Sequence, residues 1–158
     1  MTPIQMLAIA LAYMIETDKV HENEERAALL ATFGKMVTRG EMSQPRLSGL
    51  IQFAFDYIKE HDIDAFLAEA APALAPLQRV AIYVNALDMM LMDGKVIEAE
   101  QGLLKKIQDA FALAPETVLA IREVLLVKND TRMFLHPEHP RNSNTAVLRV
   151  SYWSARTE

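Results

Sequence analysis

Cysteine is absent from this 158-residue chain, which excludes disulfide frameworks and thiolate metal sites. Nothing ties such a chain to an oxidising compartment, and a reducing cytoplasm is the expected location. Glycine is scarce at five residues, tryptophan occurs once and aromatics reach only 7%, whereas 51% of the chain is apolar and rich in Ala, Leu and Met. That balance describes a helix-rich globular domain of ordinary size. Basic residues fall short of acidic ones, 16 against 21 for a formal charge of −5. A chain of that sign lacks the electrostatic footprint of a phosphate-backbone or anionic-membrane binder, so no nucleic acid partner is expected, while cations stay open. Long hydrophobic runs are also missing. The apolar stretch from 6 to 15 is ten residues, against about 20 for a membrane span, so no membrane insertion is expected. No Gly-rich phosphate loop, nucleophile motif or H-E-x-x-H zinc signature occurs, and the chain is expected not to be an enzyme.

What the chain does have is a repeat. The stretch Asp93-Gly94-Lys95-Val96-Ile97-Glu98-Ala99-Glu100 has an earlier counterpart in Thr17-Asp18-Lys19-Val20-His21-Glu22-Asn23-Glu24. Aligning Lys19-Val20 with Lys95-Val96 also brings Leu11 onto Leu87, Met14 onto Met90, Ile15 onto Leu91, Glu22 onto Glu98 and Glu24 onto Glu100, at an offset of 76 residues. Two copies at so long a period predict a pseudo-symmetric domain in which one helical hairpin is used twice, at 3–38 and 76–111.

Apolar spacing and cap signals predict seven helices, at about 3–16, 22–38, 43–60, 62–71, 76–92, 97–111 and 115–127. Thr2-Pro3-Ile4-Gln5 opens the first with a capping box, Arg39-Gly40 stops the second, and Ser43 and Asp62 start the third and fourth. The first helix is apolar on more than one face and should be central. Residues 71–76 are a short apolar hinge, so the halves are expected to share one core within a domain spanning 1–130. Beyond it, 131–158 is expected to form an extended or short helical C-terminal arm anchored by Tyr152 and Trp153.

The acidic turns admit two accounts. In one, Gly94 closes a helix and Glu100, at the third helical position, reaches back to the Ile97 amide; Glu24 does the same for His21. In the other, Asp93 and Glu100 join Asp18 and Glu24 from the first copy as hard oxygen ligands of a divalent cation. The spacing is not that of an EF-hand loop, so such a site would be shallow.

The segment Ala86-Leu87-Asp88-Met89-Met90-Leu91-Met92-Asp93-Gly94-Lys95-Val96-Ile97-Glu98-Ala99-Glu100, followed by Leu103-Leu104 and Ile107, resembles the signature of the TerB-like tellurite-resistance proteins. The resemblance covers about residues 4–127 and is specific in the second copy, whereas Thr17 and Asp18 replace the Asp-Gly pair in the first. It implies an all-α fold, a non-enzymatic role in tellurite and general stress resistance, protein partners in a stress-response assembly, and metal binding through Asp93 and Glu100, with Glu24 matching Glu100 and Asp18 a neighbouring substitute. The alternative is a pure protein–protein interaction scaffold without a metal site. A homo-oligomer is compatible with either.

Three lesser candidates complete the reading. His136-Pro137-Glu138-His139 offers two imidazoles for Zn²⁺ or Ni²⁺ against a solvated turn. His21 and His61 read as capping or surface residues at helix ends. Met14, Met89, Met90 and Met92 read first as core filler and second as an adaptable surface for a partner.

Overall fold

The computed structural model describes residues 1–17, 22–92 and 97–148, with side chains described at 1–17, 29–92 and 97–148. It is all-α. Seven helices of eleven residues or more fall where the periodicity puts them: α1 (Pro3–Thr17), α2 (Glu22–Thr38), α3 (Gln44–Glu60), α4 (Ile63–Ala73), α5 (Pro76–Met92), α6 (Glu98–Ala110) and α7 (Pro115–Asn129). A single turn, α8 (Arg132–Leu135), and a 3-10 turn at Pro140–Asn142 complete the regular structure of the described residues, among which no strand occurs. None of the described helices is long and apolar enough to cross a membrane.

The chain divides into two compact units, Met1–Leu113 and Ala114–Glu158. The first is built round α1, which packs against α2, α3, α4, α5 and α6. Met6, Ala8, Ile9, Ala10, Leu11, Ala12, Met14 and Ile15 of α1 are all buried, which is what an apolar surface on more than one face requires. Phe33, Leu47, Phe66, Leu87 and Ile107 close on it from five other helices.

Local chemistry sets the helix ends. The Gln5 carboxamide oxygen accepts from the Thr2 amide at 2.8 Å, closing the predicted box from the glutamine side. Ala75 and Gln78 repeat that bond at 2.9 Å at the start of α5. Asp62 accepts from the Ala65 amide at 2.7 Å and Ser43 accepts from that of Arg46 at 3.4 Å. At the end of α2, the Glu41 amide donates to Met36 and the Gly40 amide to Val37, at 2.8 and 3.0 Å, with Gly40 at φ 73°. This is a Schellman motif, and its left-handed residue is the glycine that the sequence points to. The end of α6 uses the same pattern: Leu113 donates to Gln108 and Ala112 to Asp109, both at 3.1 Å, with Ala112 at φ 51°. Here a residue with a Cβ holds the strained conformation.

In the second unit α7 buries only Leu125. Its last carbonyls are satisfied by side chains, Asn129 donating to the Leu125 carbonyl at 2.9 Å and Arg141 to that of Leu126 at 3.1 Å. The sequence-based domain limit at 130 falls inside this unit. Of the expected C-terminal arm, 131–142 forms the two short turns and 146–148 has no regular structure, while Tyr152 and Trp153 lie outside the described residues.

Candidate functional site

Helices α5 and α6, which flank 93–96 in the chain, each carry an inward apolar stripe. Ile82, Tyr83, Ala86, Leu87, Met90 and Leu91 are buried on α5, and Leu103, Leu104 and Ile107 on α6. Asp93 itself lies outside the described residues, as do Asp18 and His21; Glu24 lies in α2, with its side chain outside them.

Glu100 is described, and its position is decisive for its chemistry. It is 4% exposed, the one buried charged residue among the described side chains. Its Oε2 accepts from the Ile97 amide at 3.1 Å, and Ile97, with φ −95° and ψ 154°, is the N-cap of α6. Ile97 has no side-chain acceptor to return the favour, so this is the carboxylate half of a capping box. A buried carboxylate needs such donors, because desolvation of an unpaired charge costs far more than a hydrogen bond returns. The bond is the one that spacing predicts. The exposed Glu98 adds a second negative charge in the same first turn, where the helix dipole favours it. Among the described residues no group of three His, Asp or Glu side chains is close enough to hold a metal ion.

Polar chemistry that the periodicity does not show gathers at Asp130. Its Oδ2 lies 3.1 Å from Arg141 Nη1 and 3.3 Å from His139 Nε2, and its Oδ1 3.3 Å from Arg132 Nε. Burial pushes the Asp130 carboxyl up, but the Arg132 hydrogen bond and the charges of His139, Arg132 and Arg141 outweigh it and hold the group below the usual carboxylate range. His139 Nδ1 accepts from the Arg141 amide at 3.2 Å, so both ring nitrogens face partners within the chain. His136 stands apart as an exposed C-cap of α8.

A second cluster joins α1, α3 and α4. Tyr13 donates from its hydroxyl to the His61 carbonyl at 2.7 Å, and burial, with smaller contributions from Tyr57 and Asp62, raises its pKa to about 12. The His61 ring stacks on Tyr57 with centroids 4.1 Å apart and 9° between planes, and caps α3 as the sequence suggests. Nothing in the spacing of Tyr13 and Tyr57 signals this contact, since the residues are brought together by packing. Of the four candidate surface methionines, Met14 and Met90 are core, while Met92 is 57% exposed. Between α2 and α3 runs a groove of about 270 Å³ lined by Leu29, Leu30, Ser48, Ile51 and Gln52, none of which ionises.

No family model, curated protein or solved structure matches the chain.

Proposed function

We propose that this chain is a non-enzymatic helical module of the tellurite-resistance and stress-response type, TerB-like in character, which works in the cytoplasm by binding other proteins of a stress-response assembly. A divalent cation held by Asp93 and Glu100, with Asp18 and Glu24 of the first copy, is its candidate ligand. The observation that carries the reading is the hairpin of α5 and α6, in which the residues that resemble the family signature supply the buried stripe and the capped start of α6. The Ile97 bond itself favours a second reading, a pure interaction scaffold in which the acidic turn only caps a helix.

The two readings separate on charge. Glu100→Gln keeps a side chain that caps from the third helical position, as Gln5 and Gln78 already do in this chain at 2.8 and 2.9 Å. With Asp93→Asn, the double variant should stay within about 1 kcal/mol of the parent in apo stability. Calorimetric titration with calcium, magnesium, zinc and manganese should give saturable heat and a rise in melting temperature for the parent, both lost in the double variant. Heats equal to buffer dilution for the parent at millimolar metal would retire the cation and leave the scaffold.

A further inference from the structure

The turn that follows α8 is held to the end of α7 through a histidine whose two ring nitrogens have opposite duties. His139 is the N-cap of the 3-10 turn at Pro140–Asn142, and its Nδ1 accepts from the Arg141 amide at 3.2 Å. A backbone amide only donates, so that nitrogen carries no proton. In the neutral ring the proton then sits on Nε2, which faces Asp130 Oδ2 at 3.3 Å. Ser43 and Asp62 cap α3 and α4 through oxygens that keep their lone pairs near neutral pH. An imidazole is a cap that a proton can remove in that range.

Imidazolium has two donors and no acceptor. A proton on Nδ1 sets one N–H against another and leaves the Arg141 amide without its acceptor. It also brings a third positive charge to an occupied carboxylate, since Arg141 Nη1 lies 3.1 Å from the same Oδ2 and Arg132 Nε 3.3 Å from Oδ1. The attraction to Asp130 that the proton gains is shared with both guanidiniums and opposed by them. Among the described residues these are the ion pairs round the ring, from the end of α7, from α8 and from the 3-10 turn. The His139 and Asp130 side chains are 14% and 10% exposed, so water screens the added charge poorly. The docked turn and the proton compete for one nitrogen, and adding protons favours the undocked form.

We infer that His139 is a proton-operated latch, which docks the turn 139–141 on the end of α7 while Nδ1 is bare and releases it in mild acid. Arg141 also donates to the Leu126 carbonyl at 3.1 Å, so release uncovers one of the last acceptors of α7. The Asn142 carboxamide reaches the carbonyls of Met133, His136 and Pro137 at 2.9, 3.1 and 3.3 Å. These uncharged ties hold 133–137 together and confine the opening to the Arg141 side. Loss of the Asp130 charge is a separate event that needs stronger acid, because that carboxyl is held below the usual carboxylate range. The inference is independent of the cation reading, since every residue in it belongs to Ala114–Glu158.

The test is NMR of the full chain from about pH 8 to about pH 5.5. At the upper end the imidazole nitrogens of His139 should report the Nε2–H tautomer. On descent, protection of the Arg141 amide against hydrogen exchange, corrected for the intrinsic rate, should fall about tenfold as the His139 ring titrates. Protection of the Phe134 and His136 amides, which bond to Thr131 and Arg132, should hold. His139→Asn keeps an acceptor for the Arg141 amide and takes up no proton, so its turn should stay docked throughout. His136→Gln removes the other imidazole of this segment and should respond as the parent does. An Nδ1–H tautomer in the parent at the upper end overturns the inference. So does equal protection of the Arg141 amide at both ends of the range, a loss that persists in His139→Asn, or one that disappears in His136→Gln.

Discussion

The two Schellman turns offer a test in which the sign of the effect is set by one backbone angle. Gly40 sits at φ 73° with nothing within 4 Å of where a Cβ would stand. Gly40→Ala therefore meets no clash and probes conformation alone. Left-handed backbone costs a residue with a Cβ about 1–2 kcal/mol, while replacing Gly by Ala removes about 0.4–1 kcal/mol of unfolded-state freedom. The difference is a net loss of about 0.5–1 kcal/mol. Ala112, at φ 51°, is the reverse experiment already present in the chain. Ala112→Gly relieves the strain and returns the freedom, for a net gain of about 0.5–1 kcal/mol. Both residues belong to the unit Met1–Leu113, so both shifts fall on the same unfolding transition. Urea titration followed by circular dichroism resolves them, and in a chain of this size 1 kcal/mol moves the melting temperature by about 2–4 °C. If the two variants shift stability in the same direction, or if Gly40→Ala is as stable as the parent, the assignment of left-handed strain at these turns is wrong.

Burial and charge set two further outcomes. Leu87 is 2% exposed on the inward stripe of α5, so Leu87→Ala should lose about 2–5 kcal/mol in denaturant titration, and a loss below about 1 kcal/mol would move that stripe out of the core. The Asp130 carboxyl is held below its usual range, so its stabilising contribution is present above the unfolded carboxylate pKa and disappears as pH falls through the lower folded one; the second unit should loosen in acid, Asp130→Asn should flatten that dependence, and an unchanged acid slope by NMR would sink the assignment.

What could be read in the sequence was whatever local chemistry determines. Ser43, Asp62, Gln5 and Gly40 mark helix ends because each satisfies a backbone group within a few residues of itself. Glu100 belongs with them, since its reach to Ile97 is a matter of three residues along one chain. The Asp130 cluster was not legible. Arg132, His139 and Arg141 stand 2, 9 and 11 residues beyond their acceptor, share no helix with it, and meet only because 136–142 folds back on the end of α7. Ala112 was equally silent, because a left-handed alanine is set by the path the backbone takes on leaving α6 and has no mark in residue type.

The same distinction explains why the repeat is plain at its turns and concealed at its ends. Measured from proline to turn lysine, the first arm runs 16 residues from Pro3 to Lys19 and 19 from Pro76 to Lys95. From turn lysine to left-handed residue, the second arm runs 21 residues from Lys19 to Gly40 and 17 from Lys95 to Ala112. One arm of the second copy is thus three residues longer and the other four shorter, each close to a single helical turn of 3.6 residues. A change of about one turn returns side chains to nearly the same face, so the apolar stripe survives while the alignment slips. That slip is why the 76-residue offset that matches the acidic turns misses the start, where x-Pro-aliphatic-Gln recurs at 2–5 and 75–78 with the same amide-to-glutamine bond. Caps are tied to helix ends and stripes to helix faces; a duplicated hairpin can exchange a turn between its arms and keep both.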